Sequence, residues 1–235
     1  MLAALVEGRD DPEALAALAK GRLRDKHDRL VAALRGLVGP HQRHLLATQL
    51  RHVDFLDTEV AGLSAEIEER MRPFASAVEL IDTIPGVGLR TAQAILAETG
   101  VDMTRFPSDA HLASWARMCP GTDESAGKRK SGATGAGNPW LRAALVEAAH
   151  AAARTKSTYL GAQYRRIAAR RGAKRAAVAV GHSILVALYH MLSDGVTYED
   201  LGPTWFDERD RRAIVRRSVR RLEALGYRVT VELAA

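Results

Sequence analysis

Apolar residues recur three or four positions apart along almost the whole chain, the spacing that sets them on one face of a helix. The spacing predicts helical segments over residues 11–36. They start at Asp11-Pro12, carry Leu15, Leu18, Leu23, Leu30 and Leu34 on one side, and are interrupted by Gly36, Gly39 and Pro40. Residues 41–72 read as the longest helix. Leu46, Val53, Val60 and Ile67 recur there every seven residues with Leu56 and Leu63 between them, a heptad seam that fits either a coiled coil or a helix packed on its own domain. Residues 76–99 read as two helices around Pro85-Gly86-Val87-Gly88. Further helices are expected over 139–153, 176–193 and 208–225, the second largely buried, with His182 and His190 as core histidines or packing partners rather than ligands. The one alternating stretch, RVTVEL at the C-terminus, predicts a short strand. The pattern therefore predicts an all-α protein in two parts, linker helices and a coiled coil over 1–74 and a helical domain over 75–235.

Composition narrows the partners. The 235 residues carry a net charge of +6, with a pI near 9.8, which favours an acidic partner and nucleic acid first. Aromatic residues are only 5%, which argues against an extended platform for stacking single-stranded bases. The single cysteine, Cys119, excludes an internal disulfide framework and a cysteine-cluster zinc site, and suits a reducing cytoplasm. No uninterrupted apolar run reaches the length of about eighteen residues that signals a membrane span, and the N-terminus does not read as a secretory signal.

Two segments break the helical pattern in a chemically suggestive way. Residues 120–139, PGTDESAGKRKSGATGAGNP, hold five glycines and the consecutive cations Lys128, Arg129 and Lys130 around Ser125 and Ser131. Glycine lets backbone amides approach an anion and the cations neutralise it, while a plain flexible linker has a similar composition. The segment is not a Walker A loop. It ends in Asn138-Pro139, an N-cap followed by proline at the first helical position, which would aim a helix N-terminus at whatever the loop holds. Residues 154–175 carry eight basic side chains and no acidic one, with Arg165, Arg166, Arg170, Arg171, Lys174 and Arg175 clustered around Gly172. That imbalance, with Tyr159 and Tyr164 interleaved, points to a nucleic-acid surface rather than an ordinary solvated face.

The turn at 85–88 resembles a helix-hairpin-helix, in which Gly86 and Gly88 would offer backbone amides to a DNA phosphate; a compact packing hairpin is the alternative. Together, TIPGVGLRTAQAILAETG, the serine loop and RTKSTYLGAQYRRIAARRGAKRAAVAVGHSILV resemble, in order and spacing, the insertion-sequence one-ten family of transposases, relatives of the Piv-type DNA invertases. The similarity spans essentially residues 10–230.

The resemblance implies more than the residues do. It implies DNA transposition or site-specific recombination, with Ser125, in the Glu124-Ser125-Ala126-Gly127 element, as the nucleophile that forms a phosphoserine link to DNA. It implies DNA contacts for Lys128, Arg129 and Lys130, a structured bridge RNA as partner, a homodimer or higher oligomer, and a bacterial cytoplasmic, nucleoid-associated protein. Many relatives have glycine directly after the serine, where this chain has Ala126. The family also carries an N-terminal RuvC-like domain whose DEDD residues bind magnesium. No βαβ pattern or acidic quartet appears in this sequence, so the metal is expected on a domain outside it, and the chain is expected to be incomplete for catalysis alone. The reading from another class is a non-enzymatic nucleic-acid-binding dimerisation module. A tyrosine recombinase using Tyr159 or Tyr164 fits poorly, because no arginine and histidine constellation can be assigned to either.

Overall fold

The structure, a computed structural model, describes residues 1–36, 38–121, 123–126 and 128–232; the side chains of residues 123–125 and 128–131 lie outside that description. The chain divides into two units, Met1–Arg72 and Pro73–Ala235.

In the first unit, α1 (Leu2–Val6), α2 (Pro12–Ala17) and α3 (His27–Leu34) precede one long helix, α4 (Pro40–Met71). Asp11 caps α2 by accepting from the Glu13 amide at 3.1 Å, with Pro12 in the first turn, as the sequence predicts. The expected leucine face is only partly realised. Leu15 is buried, but Leu18 and Leu23 are exposed. The reason is local: residues Gly21–Lys26 wind as a 3-10 helix, whose three-residue turn breaks the 3.6-residue register. Arg43 ties the first turn of α4 to α1, donating to the Val38 carbonyl at 3.1 Å and reaching the Leu5 carbonyl and the Asp10 carboxylate. Beyond that anchorage, α4 has no buried residue.

The second unit is built around α10 (Ala173–Asp194), which packs against α5 (Ala75–Asp82), α7 (Asp109–Trp115), α8 (Pro139–Arg154) and α9 (Tyr159–Arg171). Its buried positions, Ala176, Ala177, Val180, Gly181, Ile184, Leu185, Leu188 and Met191, keep the helical period and form the centre of the core. It is the one described helix long and apolar enough to cross a membrane, and that apolar face is spent inside the protein. On α8 the buried face is mostly alanine: Ala144, Ala148, Ala149 and Ala152 beside Leu141 and Leu145. Small side chains let α10 and α6 (Leu89–Thr99) lie close on α8. Two short helices, α11 (Trp205–Arg209) and α12 (Arg211–Ala224), complete the unit without a fully buried residue.

The all-α expectation holds, with three local corrections. His190 lies on the exposed side of α10, not in the core. Residues 228–232 form no strand; they have no partner strand, and an isolated extended segment has nothing to bond to. The glycine-rich loop, in contrast, contains a small antiparallel hairpin, β1 (Asp123–Ser125) and β2 (Lys128–Ser131).

Candidate functional site

The two glycines of the 85–88 turn have different surroundings. Gly86 adopts φ +93°, and a Cβ there would stand 2.4 Å from the Ala148 carbonyl oxygen and 2.4 Å from the Ala152 nitrogen. Its close approach is to the backbone of α8, so the residue locks the turn into the core. Gly88 is exposed, its own backbone extended at φ −112°, and nothing stands within 4 Å of a Cβ there. It is the N-cap of α6 and no side chain caps that end, which leaves the first amides of a helix N-terminus facing solvent. Ile84, Val87, Ala92, Ile95 and Leu96 are buried behind them, as the pattern predicts.

The serine hairpin is held by its two stems. Register pairs Ser125 with Lys128 and Glu124 with Arg129. After Ser125 the chain reverses through Ala126 at φ +52°, a left-handed conformation that glycine adopts freely and alanine holds at a cost of about 1 kcal/mol. At the stems, the Gly121 amide donates to the Ala133 carbonyl at 3.0 Å. Further along, a Cβ on Gly137 would meet the Ala116 carbonyl oxygen at 2.5 Å, so this arm lies directly on the end of α7. Arg142, from the first turn of α8, donates to the Thr134 hydroxyl at 2.9 Å and to the Arg117 and Gly135 carbonyls at 2.8 Å each. Asn138 caps α8 by accepting from the Trp140 and Leu141 amides at 2.9 and 3.2 Å, and its amide nitrogen donates to Glu98 at the end of α6.

Residues 78–165, which run from α5 through this hairpin into α9, match the model of the family described as Transposase IS116/IS110/IS902. Over those residues the chain is similar to that transposase family. It is 33% identical over 126 residues to a protein described as the insertion element IS110 uncharacterized 43.6 kDa protein of Streptomyces coelicolor, covering 53% of this chain and 31% of that protein. It is 40% identical over 76 residues to the insertion element IS900 uncharacterized 42 kDa protein of Mycobacterium paratuberculosis, covering 32% of this chain and 19% of that one. The matched part of this chain thus spans less than a third of either relative's length.

Within the second unit, the basic cluster separates into two groups. Arg165, Arg170, Arg171, Lys174 and Arg175 are exposed around the α9–α10 corner. Arg166 is not; it donates to Asp210 at 2.8 Å and to Asp207 at 3.4 Å, and its guanidinium lies 5.5 Å from the Phe206 ring centre. Its charge is neutralised internally, and it docks α11 on α9. Tyr159 joins that contact, stacked on Phe206 at 4.9 Å and edge-on to Trp205 at 5.3 Å, and burial raises its hydroxyl pKa. A phenol made harder to ionise in an aromatic cluster is a poor nucleophile. Tyr164 shares a 3.3 Å hydrogen bond with His150 Nδ1.

The α9–α10 corner meets the serine loop in a cleft of about 1060 Å³. Its lining includes Gly132, Ala133 and Thr134 of the loop, Arg171, Lys174 and Arg175 of the corner, and Gln163 and His182 of α9 and α10. Desolvation lowers the pKa of His182, partly countered by the Asp109 carboxylate, so the imidazole is neutral at neutral pH. The glycine loop and the basic run are thereby brought to one place. The side chains of Ser125, Lys128, Arg129 and Lys130 fall outside the described residues. Among the described residues, no three His, Cys, Asp or Glu side chains come together to hold a metal ion.

Sequence reasoning missed Arg142, the staple of the loop, and Trp140, which is 74% exposed beside the loop at the start of α8. The arginine one turn after Asn138-Pro139 was the only available signal for the first. The periodicity gave none for the second, since an exposed tryptophan and a buried one read alike.

Proposed function

We propose that this transposase cuts and rejoins DNA through the Ser125 hydroxyl. The oxygen attacks a DNA phosphorus and a P–O bond of the strand breaks; the hydroxyl proton leaves to a base and the departing strand oxygen takes one up. The phosphoserine link conserves the phosphodiester's energy, and attack by a second strand's hydroxyl reverses the step and joins new ends. The observation that carries this reading is the hairpin bearing Ser125, inside the family match, whose downstream arm at residues 132–134 lines one cleft with the basic α9–α10 corner. Negative charge on the phosphoryl oxygens would be stabilised by Lys128, Arg129 and Lys130 on β2 and by Arg170, Arg171, Lys174 and Arg175 at the corner. The open amides at Gly88 would bind a duplex phosphate as in a helix-hairpin-helix, while Gly86 holds the turn in place.

In the same reading, a structured bridge RNA directs the DNA partners, and two copies associate through α4, whose Val53, Leu56, Val60, Leu63 and Ile67 are all exposed. A magnesium-binding RuvC-like domain, on this or another polypeptide, would complete the chemistry. The binding-module alternative needs none of the covalent steps.

The test is a protein–DNA adduct. DNA carrying the element's ends, a bridge RNA and magnesium are mixed with wild type or Ser125→Ala, alone and with a RuvC-like domain supplied separately. An adduct in wild type, lost in Ser125→Ala, is the expected result. No adduct in any mixture, with salt-sensitive DNA binding intact, assigns the chain to the binding-module class instead.

A further inference from the structure

The cleft between the serine loop and α9–α10 has features that phosphate neutralisation alone does not require. Its volume, about 1060 Å³, is at the upper end of the roughly 300–1,000 Å³ usual for small-molecule sites. Its walls include the apolar side chains of Met118, Pro120, Ile167 and Val178. In its depth, Gln163 donates through Nε2 to the Ser183 hydroxyl at 2.9 Å, and that hydroxyl donates to the Ala179 carbonyl at 3.3 Å. This chain of bonds fixes the Gln163 amide and leaves Oε1 buried with no partner. His182 Nδ1 is likewise buried and unpartnered. Two orphaned polar atoms in one cleft are unusual, because buried polar groups are nearly always satisfied. Cations at the rim, apolar walls and unsatisfied hydrogen-bonding atoms within are the three requirements of a nucleotide: phosphate, base face and base edge.

We propose that this cleft receives one unstacked nucleotide of the DNA strand handled at the serine loop. Arg171, Lys174 and Arg175 hold its phosphate, and Gln163 Oε1 and His182 Nδ1 bond its base edge. Gln163 accepts from a base N–H; the neutral imidazole donates or accepts according to its tautomer. Taking a base out of the stack would fix the strand's register relative to Ser125, as enzymes that act on extruded bases do. This inference rests on the DNA-processing reading above, and names a site for that strand.

The test uses the full chain and four probes: each deoxynucleoside 5′-monophosphate, the matching ribonucleotides, a deoxynucleoside and inorganic phosphate. Each is titrated while the His182 imidazole resonance is followed by NMR, and duplex DNA binding is measured in parallel. Deoxynucleotides should shift the His182 signal saturably and bind about tenfold or more tightly than phosphate or nucleoside alone. Arg171→Gln with Lys174→Gln, both exposed in the free protein, should weaken that binding about tenfold without unfolding the chain. Phosphate binding as tightly as the nucleotide would overturn the proposal in favour of a plain anion site. Ribonucleotides binding about tenfold more tightly would overturn the assignment to DNA. Absence of nucleotide binding with duplex binding intact would remove the cleft and leave the function above standing; loss of both would remove the function with it.

Discussion

Two long helices of this protein, α4 and α10, carry comparable apolar stripes and put them to opposite use. Over 22 residues α10 buries eight and forms the centre of its unit. Over 32 residues α4 buries none, and Val60 in the middle of its seam is 61% exposed. Periodicity gives the direction of an apolar face; it does not say whether the partner lies in the same chain. What separates the two helices is charge. The α4 segment intersperses acidic and basic residues, with Glu66 and Arg70 paired at 2.6 Å, whereas α10 has Lys174 and Arg175 in its first turn and no further charge until Asp194.

The comparison breaks most visibly at paired leucines. Leu185→Ala in α10 should cost about 2–5 kcal/mol, whereas Leu63→Ala in α4 should stay within about 0.5 kcal/mol in dilute protein, both read from denaturant melts. A loss at Leu63 as large as that at Leu185, independent of concentration, would mean that α4 is covered within its own chain. A second pair of sites sharpens the contrast between core and surface within one turn. Gly86→Ala introduces a Cβ into the backbone of α8 at positive φ and should cost about 3 kcal/mol. Gly88→Ala should leave stability nearly unchanged, and any loss of DNA affinity there isolates the open amides from the fold.

Charge placed on the α4 seam, Val60→Asp with Leu63→Asp, should halve the mass seen by light scattering if two copies meet there, while the melt of the second unit stays in place. The smallest effect concerns His182. Its pKa is lowered in the fold, so the unfolded chain binds the proton more tightly. The contribution is complete above the unfolded value of about 6.5 and is lost as pH falls towards the lower folded value. The cations Arg171, Lys174 and Arg175 line the same cleft, and Asp109 opposes the shift. His182→Gln should remove that part of the acid sensitivity, read as the change in melting temperature between neutral and mildly acidic buffer.

The helices, their caps at Asp11 and Asn138, and the buried side of the α5–α6 turn were legible in the sequence because each rests on local spacing or local hydrogen bonds. The site was legible only as separate parts. The glycine loop and the arginine run are recognisable alone, yet their meeting in one cleft depends on how α8, α9 and α10 pack. Arg166 shows the limit most clearly: in sequence it is one more arginine of a basic run, and in the fold it is the partner of Asp207 and Asp210, more than forty residues on. Gly86 is a similar case, since its backbone conformation was readable while the neighbour requiring it, α8, was not.

The stems of the serine loop have an evolutionary consequence. Gly121 is bonded to Ala133, and the downstream arm is fastened by Arg142 and Asn138, so the ends of the hairpin are set by α7 and α8 rather than by the hairpin itself. A segment whose ends are fixed by its frame can change length or composition without disturbing what lies beneath it. The hairpin is therefore an exchangeable cassette: relatives could diversify its reach towards the strand while inheriting the socket unchanged, and a hairpin from one member should be graftable onto another between those two anchor points.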